Sequence, residues 1–126
     1  MVFKINGKDE VLRFDIGFMR KLDGIYKTEI GGMVKMDMGS GLSSALAKLE
    51  AKSPVGLSDI IYSACKNQAV KPSQVDYAIE LYAEENNGDL EPLFEEVINC
   101  LGESPLVQGT IKTFETNLAR DIKTKD

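Results

Sequence analysis

Three stretches hold the residue types that chemistry needs. The first, GGMVKMDMGSGLSS at 31–44, has the glycine density of a phosphate-binding turn. It lacks the GxxxxGK[ST] order that wraps backbone N–H groups around phosphates, and GSGLSS has neither the third glycine of a dinucleotide turn nor a predicted strand before it. The second, AEENNGDLEPLF at 83–94, gathers acids around a glycine as calcium loops do. With Gly88 as the loop glycine, the first ligand position falls on Ala83 and the final bidentate acid on Phe94, so two essential oxygens are missing. The third is the carboxylate pair Glu95 and Glu96, which the helical pattern puts on a solvated face where nothing raises a pKa for acid–base work. The chain has no histidine, which removes Ser-His and Cys-His nucleophile systems and the usual neutral-pH acid–base group. Cys65 and Cys100 sit among apolar residues at helical spacing and read as small core hydrophobes in a reducing compartment. Without histidine or CxxC a cysteine-rich zinc site is excluded, while an all-carboxylate site stays formally open. No catalytic, cofactor or metal constellation emerges.

What remains is contact chemistry. EIGGMVKMDMGSG, with four glycines and three methionines, has neither a helical nor a strand period and reads as a flexible loop. Met33, Met36 and Met38 either tuck onto the core or offer an adaptable surface to varied partners. Near the C-terminus, Val107, Ile111, Phe114, Leu118 and Ile122 recur at intervals of four, three, four and four. That amphipathic stripe, on a helix expected over 105–126, either closes the domain's own core or presents an apolar face to another chain. Val107, Ile111, Phe114 and Leu118 are the candidate self-association residues, too few for a coiled coil.

The elements that must position these residues begin with a hairpin. Asn6-Gly7 tolerates the positive φ angles of a tight turn, and whether the loop is Asn6-Gly7 or the four residues Asn6 to Asp9, pairing places Phe3, Ile5, Leu12 and Phe14 on one face. An isolated hairpin is marginal in water, so that face needs a helix beneath it and its edges need a cover or a partner. Asp15 caps a first helix with the stripe Phe18, Met19, Leu22, Ile25 and Tyr26; Gly17 and Gly24 each weaken it by roughly 1 kcal/mol. Leu42, Ala45, Leu46 and Leu49 mark a second helix that stops before Ser53-Pro54. Leu57, Ile60, Ile61, Ala64 and Cys65 mark a third, with Ser58 as its expected cap. Ser73 is expected to cap a fourth, with Asp76 completing a capping box and Val75, Ala78, Ile79 and Tyr82 facing inward. After the turn ENNGD, Asp89 starts a fifth whose stripe is Leu93, Phe94, Val97, Ile98 and Leu101, opposite Glu91, Glu95 and Glu96. Ser104-Pro105 opens the last.

The 126 residues, 43% hydrophobic and 28% charged, fit one globular domain spanning 1–126. The net charge of -5 is unevenly spread: Ser73 to Glu103 holds nine acids and no Lys or Arg. Such a surface repels a phosphate backbone, which argues against nucleic acid and favours basic or neutral protein partners, although a solvated helix face explains the acids equally well. No signal peptide or membrane-length apolar run is present, so the expected compartment is a cytoplasm and no membrane is a partner.

The order of FKINGK, LRFDIGFMRKLD, GSGLSSALAKL, LSDIIYSACK, KPSQVDYAIE and LFEEVINCLGESPL resembles the tail assembly chaperone family of long-tailed phages of Gram-positive bacteria. The resemblance covers roughly residues 3 to 107 and rests on packing and capping segments. It implies an α+β fold, an N-terminal β-hairpin packed on a mostly α-helical body of five or six helices. It further implies a non-catalytic protein without cofactor, acting in the bacterial host cytoplasm and absent from the finished virion. Its implied partners are the tape measure protein, which many copies coat, the major tail tube protein, which they recruit, and further copies of itself. Two other readings fit the residues: a small acidic helical adaptor or regulator, and an enzyme built on carboxylates and a recruited metal.

Overall fold

A computed structural model describes residues 1–29 and 40–113. Strands β1 (Val2–Ile5) and β2 (Lys8–Val11) pair antiparallel, followed by helices α1 (Ile16–Glu29), α2 (Ser40–Glu50), α3 (Pro54–Ala64), α4 (Pro72–Glu85) and α5 (Glu91–Glu103). A sixth helix, α6, occupies 105–113. The protein is α+β, a two-stranded hairpin on a helical body, as the sequence leads one to expect. The expected loop falls mainly on residues 30–39, outside the described residues.

The hairpin turn has only two residues, Asn6 at φ 55° and Gly7 at φ 74°. Both angles positive make the turn whose twist matches that of the strands. It fixes the register Phe3 with Glu10 and Ile5 with Lys8. Phe3, Ile5 and Leu12 are buried, and half-buried Phe14 meets Phe18 edge-on with ring centroids 5.0 Å apart. One unexpected residue shares this face: Glu10 is buried to 9% exposure opposite Phe3. Its Oε1 accepts a long hydrogen bond from Asn67 Nδ2 at 3.4 Å.

Past β2 the chain is stitched to the segment that follows α3. Leu12 bridges Cys65, the Arg13 N–H donates to the Ala64 carbonyl at 2.8 Å, and the Lys66 N–H donates to the Val11 carbonyl at 3.1 Å. The outer edge of β2 is therefore partly covered from within.

The core runs as one cluster from the hairpin through all six helices, with Phe18, Leu22 and Tyr26 of α1 against Leu42, Ala45 and Leu49 of α2 and Leu57, Ile60 and Ile61 of α3. Each such side chain contributes about 1.5–3 kcal/mol by leaving water. Close helix packing relies on two glycines. A Cβ on Gly41 would run into the Asp23 carboxylate oxygen and lie 2.8 Å from the backbone N and Cα of Asp23, and one on Gly56 would lie 2.5 Å from Lys48 Cβ. Asp23 also caps α2 from the side, its Oδ1 accepting the Gly41 N–H at 3.1 Å.

Three local expectations change. The cap of α3 is Ser53, whose Oγ accepts the Gly56 N–H at 3.3 Å. Pro54 supplies the first turn and moves the start back by more than a turn, leaving Ser58 inside the helix. Likewise α4 starts at Pro72 with Lys71 in the cap position. There the Gln74 Oε1 accepts the Lys71 N–H at 2.9 Å, and Ser73 is an exposed residue of the first turn. Proline at the first helical position is pre-set for helix and has no N–H to satisfy, so in both helices it displaces a hydroxyl cap read further along. On α5, Ile98 faces outward at 40% exposure although it belongs to the expected inner stripe. The Asp15 cap is present, Oδ1 accepting the Phe18 N–H at 3.0 Å.

Candidate interaction grooves

Helix α4 carries two kinds of apolar row. Val75, Ala78 and Ile79 are buried in the core, whereas Tyr77 and Leu81, one helical turn apart, stay 57% and 38% exposed. Exposed apolar pairs at this spacing form a continuous surface row rather than isolated side chains.

On one side of α4, that row faces β1 across a groove of about 600 Å³. Val2, Tyr77 and Leu81 contribute its accessible apolar surface, Phe3, Ala78 and Leu93 lie at its floor, and Asp9, Glu85 and Glu96 bring negative charge to its margin. Among the described residues Lys4 is the single cation that lines it. The two-residue turn makes Ile5–Lys8 and Phe3–Glu10 the hydrogen-bonded pairs, so the N–H and C=O groups of Val2 and Lys4 point away from β2, along the outer edge of the sheet.

On the other side of α4, a groove of about 540 Å³ lies between α1, α3 and α4. Ile25, Val55, Tyr62 and Ile79 form its apolar wall, and Asp59, Asp76 and Glu80 its acidic part. Two of these carboxylates are held in place: the Tyr26 hydroxyl donates to Asp59 Oδ2 at 3.0 Å, and the Ser58 hydroxyl donates to Asp76 Oδ1. The Ser58 that sequence reading assigned to a cap thus orients a carboxylate at the groove.

Among the described residues no group of three or more Cys, Asp or Glu is arranged to hold a metal ion. Burial pushes the Cys65 thiol up to about 11, with the Glu10 carboxylate adding to the effect. Cys100 is raised for the same first reason, and both thiols are free. Asp15 is held below its ordinary value chiefly by the Phe18 N–H, with Lys66 helping against partial burial. Asp15 and Cys65 line one small cavity of about 120 Å³, and Asp15 and Cys100 line another of about 350 Å³; in both, the carboxylate caps α1 and the thiol keeps its proton. Among the described residues no helix is long and apolar enough to cross a membrane.

Of the contact residues expected from sequence, Val107 is fully buried in the core of its own chain and Ile111 packs partly buried against it. That corrects Val107 as an accessible contact: the Ser104 hydroxyl donates to the Phe14 carbonyl at 3.0 Å and accepts the Val107 N–H at 3.4 Å, pinning the start of α6 beside the hairpin exit. Phe114, Leu118, Met33, Met36 and Met38 lie outside the described residues. Sequence reading missed Tyr77, Leu81 and Val2. The signal was present, since Tyr77 and Leu81 form an apolar pair one position off the inner stripe of α4.

The structure is that of an α+β protein whose two grooves beside α4 present mainly apolar and acidic side chains. The chain matches the family model of the phage tail assembly chaperone protein, TAC, over residues 2–115, and belongs to that family. No curated protein and no solved structure is detectably similar to it.

Proposed function

We propose that this protein binds the tape measure protein during tail assembly, shields its apolar surface in the host cytoplasm, recruits tail tube subunits, and leaves before the virion is complete. It does so without catalysis or cofactor, and several copies associate along one client. The observation that carries this reading is the exposed row of Val2, Tyr77 and Leu81. These three apolar residues line one groove, and Tyr77 and Leu81 fall in the stretch that has nine acids and no Lys or Arg. A chaperone needs such a surface and does not need converging reactive groups. The acidic margin keeps unoccupied copies soluble and favours clients that are basic or neutral. Ile111, Phe114 and Leu118 are proposed for self-association, and the methionines Met33, Met36 and Met38 as an adaptable surface for a partner or a further copy.

Coexpression with the tape measure protein of the same phage tests the reading. The expected result is a soluble complex that elutes as one peak with several copies of this chain per client, and that is lost when Tyr77 and Leu81 are both replaced by Asp. A tape measure protein equally soluble with and without this chain, and no co-elution, refutes it.

A further inference from the structure

We propose that the groove between β1 and α4 captures its client by strand addition, taking an extended segment of the pattern apolar–x–apolar–x–Lys/Arg, read in either direction, as a third strand on β1. This rests on the reading of the chain as a client-binding protein and specifies how one of its grooves does so. Three observations combine. The main-chain groups of Val2 and Lys4 point outward from the hairpin, as the register requires, whereas the outer edge of β2 is already met by Ala64 and Lys66. An extended partner supplies the complementary N–H and C=O groups.

The second observation is a match of spacing. Tyr77, Leu81 and Glu85 form one row of α4 and all line the groove. Steps of four residues on a helix advance about 6 Å, and alternate residues of a strand advance about 6.6 Å. Side chains on one face of an added strand therefore meet Tyr77, Leu81 and Glu85 in succession, two apolar contacts and then a carboxylate. A helix docked in the groove would instead leave the β1 edge groups unpaired.

The third is charge. Among the described residues Asp9, Glu85 and Glu96 outnumber the one lining cation, Lys4, around the groove, so a basic residue at the third contact is favoured and an acidic one is repelled.

Selection of short random peptides displayed on bacterial cells against the intact chain tests the proposal. Enriched peptides are expected to carry the alternating pattern with Lys or Arg at its end, and to slow exchange of the Val2 and Lys4 amides when bound. Lys4→Pro removes an edge donor but no bond of the hairpin, as prolines on edge strands do. It is expected to weaken a selected peptide about tenfold relative to Lys4→Ala, as the loss of one main-chain bond and its alignment implies. Glu85→Lys, at an exposed position, is expected to switch the preferred terminal residue to Asp or Glu. The proposal fails if no peptide is enriched, if enriched peptides follow a helical spacing, or if bound peptide leaves the Val2 and Lys4 amides unprotected. Any of these leaves the coexpression result standing or falling by itself.

Discussion

Gly41→Ala should destabilise the domain although it replaces glycine by the best helix former near the start of α2. Taken alone, the exchange gains about 1 kcal/mol of helix propensity. Against it stands the new Cβ, 2.8 Å from the backbone N and Cα of Asp23, where ordinary contact begins at 3.4 Å. Those atoms belong to α1 and cannot rotate away, so the two helices must separate by roughly 0.6 Å along a contact that also packs Leu22 and Tyr26 against Leu42 and Ala45; overpacking of this kind costs about 1–3 kcal/mol. Separation also stretches the bond from the Gly41 N–H to the Asp23 carboxylate, now 3.1 Å, and a bond to a charged acceptor is worth about 1.5–3 kcal/mol. The expected balance is a net loss of about 1–3 kcal/mol, a fall in Tm of roughly 4–10 °C for a domain of this size. Gly102→Ala in α5 sets the scale, because a Cβ there meets nothing within 4 Å; it should gain about 0.5–1 kcal/mol. Thermal and urea unfolding of both variants, and of Gly41→Ala combined with Asp23→Ala, decide the matter. A Gly41→Ala protein as stable as the parent refutes the reasoning, as does full rescue by Asp23→Ala, which would place the conflict in a side chain instead of in the α1 backbone.

Other outcomes follow from the caps and the thiols. Ser53→Ala should lower stability by about 1 kcal/mol in urea titrations, while Ser73→Ala changes it by only a few tenths, because only Ser53 occupies a cap position. Asp15→Ala should cost about 1 kcal/mol at neutral pH. Since the folded pKa lies below the ordinary value of 3.8, that contribution is present above 3.8 and is lost as pH falls through the folded value, so the parent and variant unfolding curves should converge in acid. With its pKa pushed up to about 11, Cys65 is about one-thousandth thiolate at pH 8. It should react with a maleimide far more slowly than half-buried Cys100, and unfolding in urea should erase the difference.

Most of the architecture was legible because it is written in short-range signals. Asn6-Gly7 signals a hairpin turn, whose two-residue form the structure selects, Asp15 a cap, and the apolar stripes of α1, α2 and α4 the faces that are now buried. The errors are of two physical kinds. Prolines at 54 and 72 start helices earlier than the hydroxyl residues suggested, because a fixed φ and a missing N–H suit the first helical position better than any side-chain cap further in. The grooves were missed for a different reason: periodicity reports which face of one helix is apolar, not which neighbour is too distant to cover it. Tyr77 and Leu81 read as ordinary surface until β1 is placed across from them. Ile98 shows the converse, an apolar residue within a stripe wider than the contact available to it. Glu10 was in the pattern but overlooked: strand alternation puts it on the face of Phe3 and Leu12, and its charge drew it out of the expected core although it is buried there beside Asn67.

The two edges of the hairpin are treated unequally, and this asymmetry bears on function. An unpaired strand edge invites uncontrolled pairing, and proteins ordinarily shorten, charge or cover it. The outer edge of β2 is met by the turn after α3, through the bonds at Val11 and Arg13. That of β1 is guarded by its shortness, four residues, by Lys4 on the strand, and by the acidic residues across the groove. Those guards discriminate. A second β1 brings its own Asp9, Glu85 and Glu96 and is repelled, whereas an extended segment ending in a basic residue is attracted. The same charges that keep the edge from pairing with copies of itself thereby select what it accepts, and reversing Glu85 should relax the first restraint as it inverts the second. Glu85→Lys is thus expected to self-associate more readily than the parent at low ionic strength, with the difference fading as salt screens the interaction over about 10 Å at 0.1 M. Light scattering across a salt series reads this directly, and a variant as monodisperse as the parent at low salt would show that the acidic margin does not guard the edge.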